Sequence, residues 1–133
     1  MQPRQTGGPQ DDRSGSEATL ASSLRPRGPA QLELVERDLG QETYLLAQGE
    51  VDVLTAPRLA RALVRILHTS QGDVALDLNE TLFLDSAGLH VLLNAQRRLT
   101  RRGRTLRVIC RPGPVRRVIE LARLVDTLNV VSE

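Results

Sequence analysis

The sequence predicts a single α/β (α+β) domain, in which a mixed β-sheet of about four to five strands packs with about three to four helices. Short apolar runs alternate along the chain with segments whose apolar residues recur at helical spacing. The chain has 133 residues, which is the length of about one domain. It has one cysteine, so its core must depend on the burial of Leu, Val, Ile and Ala instead of a disulfide.

Residues 1–30 differ in composition from the rest of the chain. They hold 4 of the 7 prolines and 4 of the 10 glycines, and their few apolar residues, such as Leu20 and Leu24, could not offset the entropy of ordering the segment. We therefore expect a disordered N-terminal tail at 1–30 and a folded domain at 31–133. No signal-peptide pattern follows Met1 and no apolar run is long enough to span a membrane, so the expectation is a cytoplasmic protein without a membrane partner.

The first half of the domain is predicted to contain a hairpin and a helix. Strands are expected at Leu32–Arg37 and Thr43–Gln48, and Gly49–Asp52 then interrupts the strand pattern. Thr55 has the character of a helix N-cap, and apolar residues at helical spacing predict an amphipathic helix over 56–68.

The second half continues the alternation of strands and helices. Gly103 is expected to end the longer helix of this half, because glycine is common just past a helix C-terminus. The predicted order is a strand at Val74–Leu78, an apolar run at Leu82–Leu84, a helix to about Arg102, a strand at Thr105–Cys110, a helix opened by Pro112–Pro114, and a last strand at Leu128–Val131.

The junction of the apolar run with the longer helix is the most informative segment. Asp85 and Ser86 place a carboxylate and a hydroxyl where a helix begins, and free backbone N–H groups at such a place favour anions. A phosphate on Ser86 would be tolerated there, while a docking partner, especially an acidic one, would be repelled. The same two residues also fit an ordinary helix cap, and the two interpretations are compatible.

Two separate motifs in the sequence resemble those of a known family. Asp85-Ser86-Ala87-Gly88-Leu89, after an apolar run, resembles the phosphorylation loop of the STAS-domain anti-sigma factor antagonists. Gly49-Glu50-Val51-Asp52 followed by Thr55-Ala56-Pro57 resembles the second signature of that family. The resemblance covers about residues 31–133, and it departs from the usual pattern at Val51, where leucine is common, and at Ala87, where serine or threonine is common.

The resemblance implies a regulatory protein and not an enzyme. Ser86 would be phosphorylated by an anti-sigma factor serine kinase, and a serine phosphatase would reverse the modification. The unphosphorylated form would bind the kinase and free a sigma factor. The residues expected to form the partner-binding surface are Asp52, Thr55, Asp85, Ser86, Ala87, Gly88 and Leu89.

Two other functions stay open at this point. A STAS domain can serve as a scaffold or accessory subunit, for example in a lipid-transport or stress-sensing complex, without being phosphorylated. A small nucleotide-binding enzyme could use the helix start at Ser86 as a phosphate cradle, but the sequence has no glycine-rich phosphate loop and no obvious set of catalytic groups. No cofactor is expected.

The basic residues, all arginine, are distributed unevenly. Residues 31–85 carry 4 Arg against 10 acids, whereas residues 86–133 carry 10 Arg against 3 acids. The cluster Arg97, Arg98, Arg101, Arg102 and Arg104 is interpreted as a solvated face that complements a helix dipole, with an acidic protein partner as the alternative. Nucleic-acid binding is disfavoured because no aromatic residues accompany the arginines.

The remaining candidate residues point to no metal site. His68 and His90 have no acid or cysteine at metal-ligand spacing, so no zinc site is expected. His90 follows Ser86 by about one helical turn and could contact a phosphate there. Cys110 is expected to be a small apolar filler of the core.

Overall fold

The computed structural model describes residues 31–133, which form one mixed β-sheet with helices packed against it. The predicted α/β class is confirmed, and a two-residue strand at the end of the chain brings the sheet to six strands. The elements are β1 Leu32–Asp38, β2 Glu42–Val51, α1 Ala56–Thr69, β3 Asp73–Asp77, β4 Thr81–Leu84, α2 Ser86–Thr100, β5 Leu106–Ile109, α3 Pro114–Leu121 and β6 Val130–Val131.

The sheet has the strand order β1-β2-β3-β5-β6, and β4 also pairs with β2. The β1–β2 hairpin is antiparallel, and every other pairing is parallel. Residues 42–46 of β2 pair with β3, and residues 49–51 pair with β4, so two short strands share one edge of β2. This arrangement brings the ends of β2 and β4 together.

Gly49 allows β2 to change its pairing partner. The sequence pattern predicted that the strand would end before Gly49, and this boundary was wrong, because β2 continues to Val51. Gly49 has φ +119° and lies where the register with β4 shifts, so it forms a bulge and does not end the strand. A Cβ atom at this position would lie 2.4 Å from the carbonyl oxygen of Gln31.

The core is built from aliphatic side chains of the sheet and the three helices. Cys110 is 2% exposed, and burial raises the pKa of its thiol, so it is an unreactive part of this core as expected. Between residues 31 and 133 no helix is long and apolar enough to cross a membrane. The largest fully buried side chains include Leu45, Leu59, Ile66, Leu76, Leu92, Leu106 and Ile119.

Arg104 differs from the rest of the predicted solvated cluster. Arg97, Arg98, Arg101 and Arg102 are exposed, but Arg104 is only 9% exposed. Its guanidinium donates hydrogen bonds to the carbonyl oxygens of Gly72 (2.6 Å) and Leu67 (2.9 Å) and to the hydroxyl of Ser70 (3.0 Å). Leu67 lies in the last turn of α1, and Ser70 and Gly72 follow it, so Arg104 satisfies acceptor groups at and just beyond the C-terminus of that helix.

We expect Arg104→Met to destabilise the domain by about 2–4 kcal/mol, because it removes three hydrogen bonds from a charged donor at a buried position. Urea denaturation measures the change. Arg102→Met is the matched control and should change stability by less than about 0.5 kcal/mol, because Arg102 is exposed. Equal losses in the two variants would contradict the structural role of Arg104.

Tyr44 and Asp77 form a polar pair between β2 and β3. The Tyr44 hydroxyl donates a hydrogen bond of 2.5 Å to Oδ2 of Asp77, and this bond, reinforced by burial, raises the pKa of Tyr44 to about 12. Asp77 also accepts a hydrogen bond from the backbone N–H of Asn79, so its carboxylate organises the end of β3.

The raised pKa of Tyr44 gives an expected pH dependence. A folded pKa above the ordinary value near 10 means that the stabilisation by the neutral phenol is complete below pH 10 and is lost as the pH rises through about 12. The chain has one tyrosine, so ultraviolet absorbance follows this group alone. We expect Asp77→Asn to lower the midpoint toward 10 while circular dichroism shows a folded protein. A midpoint that does not move would exclude Asp77 as the cause.

Candidate functional site

The two sequence motifs meet at one edge of the sheet. The backbone N–H of Asp85 donates to the carbonyl oxygen of Val51 at 3.2 Å, which joins the end of β4 to the end of β2. Gly88, in the first turn of α2, is buried against Leu84 and Val51, and a Cβ atom there would lie 2.4 Å from Leu84 Cδ1. We call residues 52–55 and 85–89 the paired-motif surface.

The buried side chains of Asp52 and Thr55 stabilise the first half of the paired-motif surface through hydrogen bonds to the backbone. Oδ1 of Asp52 accepts hydrogen bonds from the N–H groups of Leu54 (2.9 Å) and Thr55 (3.0 Å). The Thr55 hydroxyl donates to the carbonyl oxygen of Glu50 and accepts from the N–H of Asp52. Thr55 precedes α1 as predicted, but its side chain does not cap the helix, because its hydroxyl is occupied by these bonds.

The turn that Asp52 holds presents two apolar side chains to solvent. Val53 is 70% exposed and Leu54 is 73% exposed, although both belong to residue types that usually lie inside a protein. Asp52 and Thr55 are 2% and 3% exposed. We infer that the two buried residues, which were expected to bind a partner, position this turn, and that Val53 and Leu54 are the residues available for contact.

Asp85 is the N-cap of α2. Its backbone is extended, and its Oδ1 accepts hydrogen bonds from the N–H groups of Ala87 (2.9 Å) and Gly88 (3.2 Å). The expectation that these N–H groups are free for an external anion is therefore wrong, because the Asp85 carboxylate already occupies them. Ser86 is the first residue of the helix and is exposed, so its hydroxyl is accessible to another protein.

The other predicted residues of this segment differ in their exposure. Ala87 and Leu89 are partly buried and pack against the hydrophobic core. His90 is exposed one turn after Ser86. Among residues 31–133 no group of three or more His, Cys, Asp or Glu side chains is arranged to hold a metal ion.

Sequence reasoning missed Val53 and Leu54, although both lie between the residues of the second signature. Their exposure could not be read from their residue type, because valine and leucine are buried more often than not. The useful signal was their position between Asp52 and Thr55, two residues whose polar side chains commonly bind nearby backbone groups and hold turns.

Comparison with known proteins agrees with this geometry. The model of the STAS domain family matches residues 35–133, so the chain belongs to that family. The anti-sigma-B factor antagonist of Listeria monocytogenes is 31% identical over 100 residues, which cover 74% of this chain and 86% of that protein.

Solved structures with the same fold include other antagonists. A crystal structure of an anti-sigma factor antagonist from Mycobacterium paratuberculosis has a TM-score of 0.72 and 26% identity, and the match covers 77% of this chain and 87% of that one. SpoIIAA, an anti-sigma factor antagonist, has been solved in its unphosphorylated form, with a TM-score of 0.60 and 19% identity over 79% of this chain and 90% of that one. The resemblance identified from the two motifs is thus confirmed at the level of the family and the fold.

Proposed function

We propose that this chain is an anti-sigma factor antagonist that is switched by phosphorylation of Ser86. The observation that carries the proposal is an exposed serine hydroxyl at the start of α2, beside a turn that presents two apolar side chains. The Listeria relative carries the name of an anti-sigma-B factor antagonist, and the name of the SpoIIAA structure specifies an unphosphorylated form. Both names fit such a switch.

In this scheme the unphosphorylated protein binds an anti-sigma factor with serine kinase activity, and a sigma factor is released. The kinase then transfers the γ-phosphoryl group of ATP to the Ser86 oxygen. The new O–P bond replaces the bond to ADP, and the hydroxyl proton passes to a base of the kinase. A serine phosphatase restores the hydroxyl. This chain is the substrate in both reactions and supplies no catalytic group.

The electrostatics of the site explain how one phosphate would break the complex. A phosphoserine carries a charge of about −1.5 to −2 at neutral pH. At position 86 it would stand beside the Asp85 carboxylate, which already uses the N–H groups at the helix start. The new charge would therefore be only partly compensated by the chain itself. It would repel a partner surface that tolerates Asp85 alone, while the fold would persist.

The experiment that tests the proposal is incubation of the full chain with ATP and each candidate serine-kinase anti-sigma factor of its organism, followed by phosphate mapping by tandem mass spectrometry. Phosphate on Ser86, and none in Ser86→Ala, is the expected result. If no kinase modifies the folded protein, the phospho-switch is excluded, and a constitutive scaffold function becomes the better explanation.

Val53 and Leu54 should anchor the partner. We expect Val53→Ser combined with Leu54→Ser to weaken binding to the anti-sigma factor by about tenfold or more, because burying two such side chains in an interface contributes several times the energy of a tenfold change. Isothermal titration measures the affinity. Leu39→Ser is the control, because Leu39 is 60% exposed in the β1–β2 turn at the opposite edge of the sheet. Equal affinity in the double variant and the wild type would exclude this turn from the interface.

A further inference from the structure

The strand β1 has one edge that no other described strand covers. It lies at the end of the strand order β1-β2-β3-β5-β6, and among residues 31–133 it pairs with β2 alone. An edge strand presents a row of N–H and C=O groups to which a further strand can add. The sheet can therefore be extended at β1 by a strand of matching sequence.

Hydrogen bonds at the two ends of the β1–β2 hairpin show which backbone groups of β1 face this edge. The carbonyl oxygen of Gln31 accepts a hydrogen bond of 2.8 Å from the N–H of Glu50, and the N–H of Leu39 donates one of 2.8 Å to the carbonyl oxygen of Glu42. In an antiparallel pair, alternate residues direct both backbone groups to the same partner strand, so the odd-numbered residues of β1 bond to β2. The even-numbered residues direct their N–H and C=O groups to the open edge, and they are Leu32, Leu34, Glu36 and Asp38.

The side chains of the odd-numbered residues form a row that is complementary to itself. Glu33, Val35 and Arg37 lie on one face of the strand, because side chains alternate between the two faces. Val35 is 37% exposed, and the two charged residues are exposed as well. Within the described part of the chain neither Glu33 nor Arg37 forms a salt bridge. The order acid, valine, base becomes base, valine, acid when the strand is reversed, so each charge meets its opposite in an antiparallel copy.

A second copy of β1 fits this edge in one register. In an antiparallel pair centred on Val35, Glu33 of each copy lies opposite Arg37 of the other, and the two valines lie opposite each other. The even-numbered residues then form the hydrogen-bonded pairs, as the direction of their backbone groups requires. A pair centred on Glu36 would place two like charges opposite each other, and a pair centred on Leu34 would lose both Glu33–Arg37 contacts.

We propose that the chain forms a two-fold symmetric dimer in which the β1 strands of two copies pair antiparallel around Val35. The two sheets join into one continuous sheet. The paired-motif surface follows the end of β2, which lies beside the start of β1. The antiparallel arrangement therefore places the two paired-motif surfaces at opposite ends of the joined strands, so the dimer presents two copies of that surface. This inference does not depend on phosphorylation of Ser86.

The first measurement is sedimentation equilibrium of the full-length protein over a range of concentrations. Because pairing of two seven-residue strands makes a small interface, we expect a reversible dimer with a Kd on the order of 0.1 mM. Glu33→Arg and Arg37→Glu should each weaken the dimer by about tenfold or more, because two attractive pairs across the strands become repulsive. A wild-type protein that stays monomeric up to about 1 mM would overturn the proposal.

Exchange of the two charges separates this register from any other use of the same residues. Glu33→Arg combined with Arg37→Glu should restore the affinity to within about threefold of the wild type, and a mixture of the two single variants should form heterodimers. Arg117→Glu is the control, because Arg117 is exposed on α3, which packs against β4, and it should dimerise normally. Circular dichroism checks that each variant is folded. A double variant as weak as the single ones would overturn the proposed register.

A cysteine at the two-fold axis tests the pairing directly. Val35→Cys would bring two Cα atoms to about 4.5 Å, which is within the range that a disulfide spans, so mild oxidation should link the two chains. The native Cys110 is 2% exposed and should not compete. Glu33→Cys is the control, because its two copies would lie about 13 Å apart and should not be linked. Equal cross-linking of the two variants, or none in Val35→Cys, would contradict pairing around Val35.

Discussion

Asp52→Ala should destabilise the domain by about 2–4 kcal/mol and weaken binding of the anti-sigma factor. Asp52 is 2% exposed, and its carboxylate accepts hydrogen bonds from the backbone N–H groups of both Leu54 and Thr55. Without that acceptor the Thr55 N–H loses its partner at a buried position and the Leu54 N–H loses its partner at a partly buried one, and an unpaired buried donor costs about 1–3 kcal/mol. The turn that presents Val53 and Leu54 would then lose its defined shape.

Urea denaturation measures the loss of stability, and isothermal titration at a temperature where the variant is folded measures binding. Asp52→Asn keeps Oδ1 as an acceptor, so it should retain most of the stability and of the binding. Asp73→Ala is the control. Asp73 is an exposed residue at the opposite edge of the sheet, and its carboxylate accepts one hydrogen bond, from the backbone N–H of Thr105. If Asp52→Ala and Asp73→Ala lowered stability equally, Asp52 would not have the role assigned to it.

Ser86→Asp should weaken binding of the anti-sigma factor by roughly 10- to 100-fold without unfolding the domain. A negative charge at the first position of α2 is favourable for the helix, so stability should change little. A like charge in a desolvated interface costs several kcal/mol, and each tenfold loss of affinity corresponds to about 1.4 kcal/mol.

Two controls separate the charge from the loss of the hydroxyl. Ser86→Ala should bind as the wild type does, and Gln71→Glu adds a charge at an exposed position near the end of α1 and should also bind normally. Isothermal titration gives the affinities, and thermal unfolding confirms the fold. Wild-type affinity in Ser86→Asp would remove the electrostatic basis of the proposed switch.

Much of the fold could be predicted because its elements depend on local patterns. The helical spacing of Leu59, Leu63 and Ile66 predicts α1, and these residues are buried. Gly103 follows the end of α2 with φ +69°, as a residue just past a helix end often does. These features depend on neighbours a few residues apart, so the sequence alone contains the information.

The features that sequence reasoning missed depend on contacts between distant segments. Gly49 has the appearance of a strand breaker, but β2 continues through it as a bulge opposite β4, and the approach of Gln31 leaves no room for a Cβ atom there. Arg104 follows a helix end in a run of exposed arginines, and only the position of Leu67 and Gly72 explains why it is buried. No local sequence pattern specifies which acceptor groups a distant segment of the chain brings to the Arg104 guanidinium.

The candidate site shows the same division. Asp85 and Ser86 were predicted as site residues from their place between an apolar run and a helix. In the structure Asp85 caps the helix, and Ser86 is exposed with an accessible hydroxyl. The nearness of Asp52 to this helix could not be derived from the residues alone. It depends on β4 pairing with the end of β2, which is a property of the sheet.

The central claim is that phosphate on Ser86 controls binding of an anti-sigma factor. The most direct measurement is isothermal titration of the cognate anti-sigma factor with the full chain before and after stoichiometric phosphorylation, with the modified residue identified by mass spectrometry. We expect binding by the unphosphorylated chain, at least about 100-fold weaker binding by the phosphorylated chain, and recovery after phosphatase treatment. Equal affinity of the two forms would contradict it.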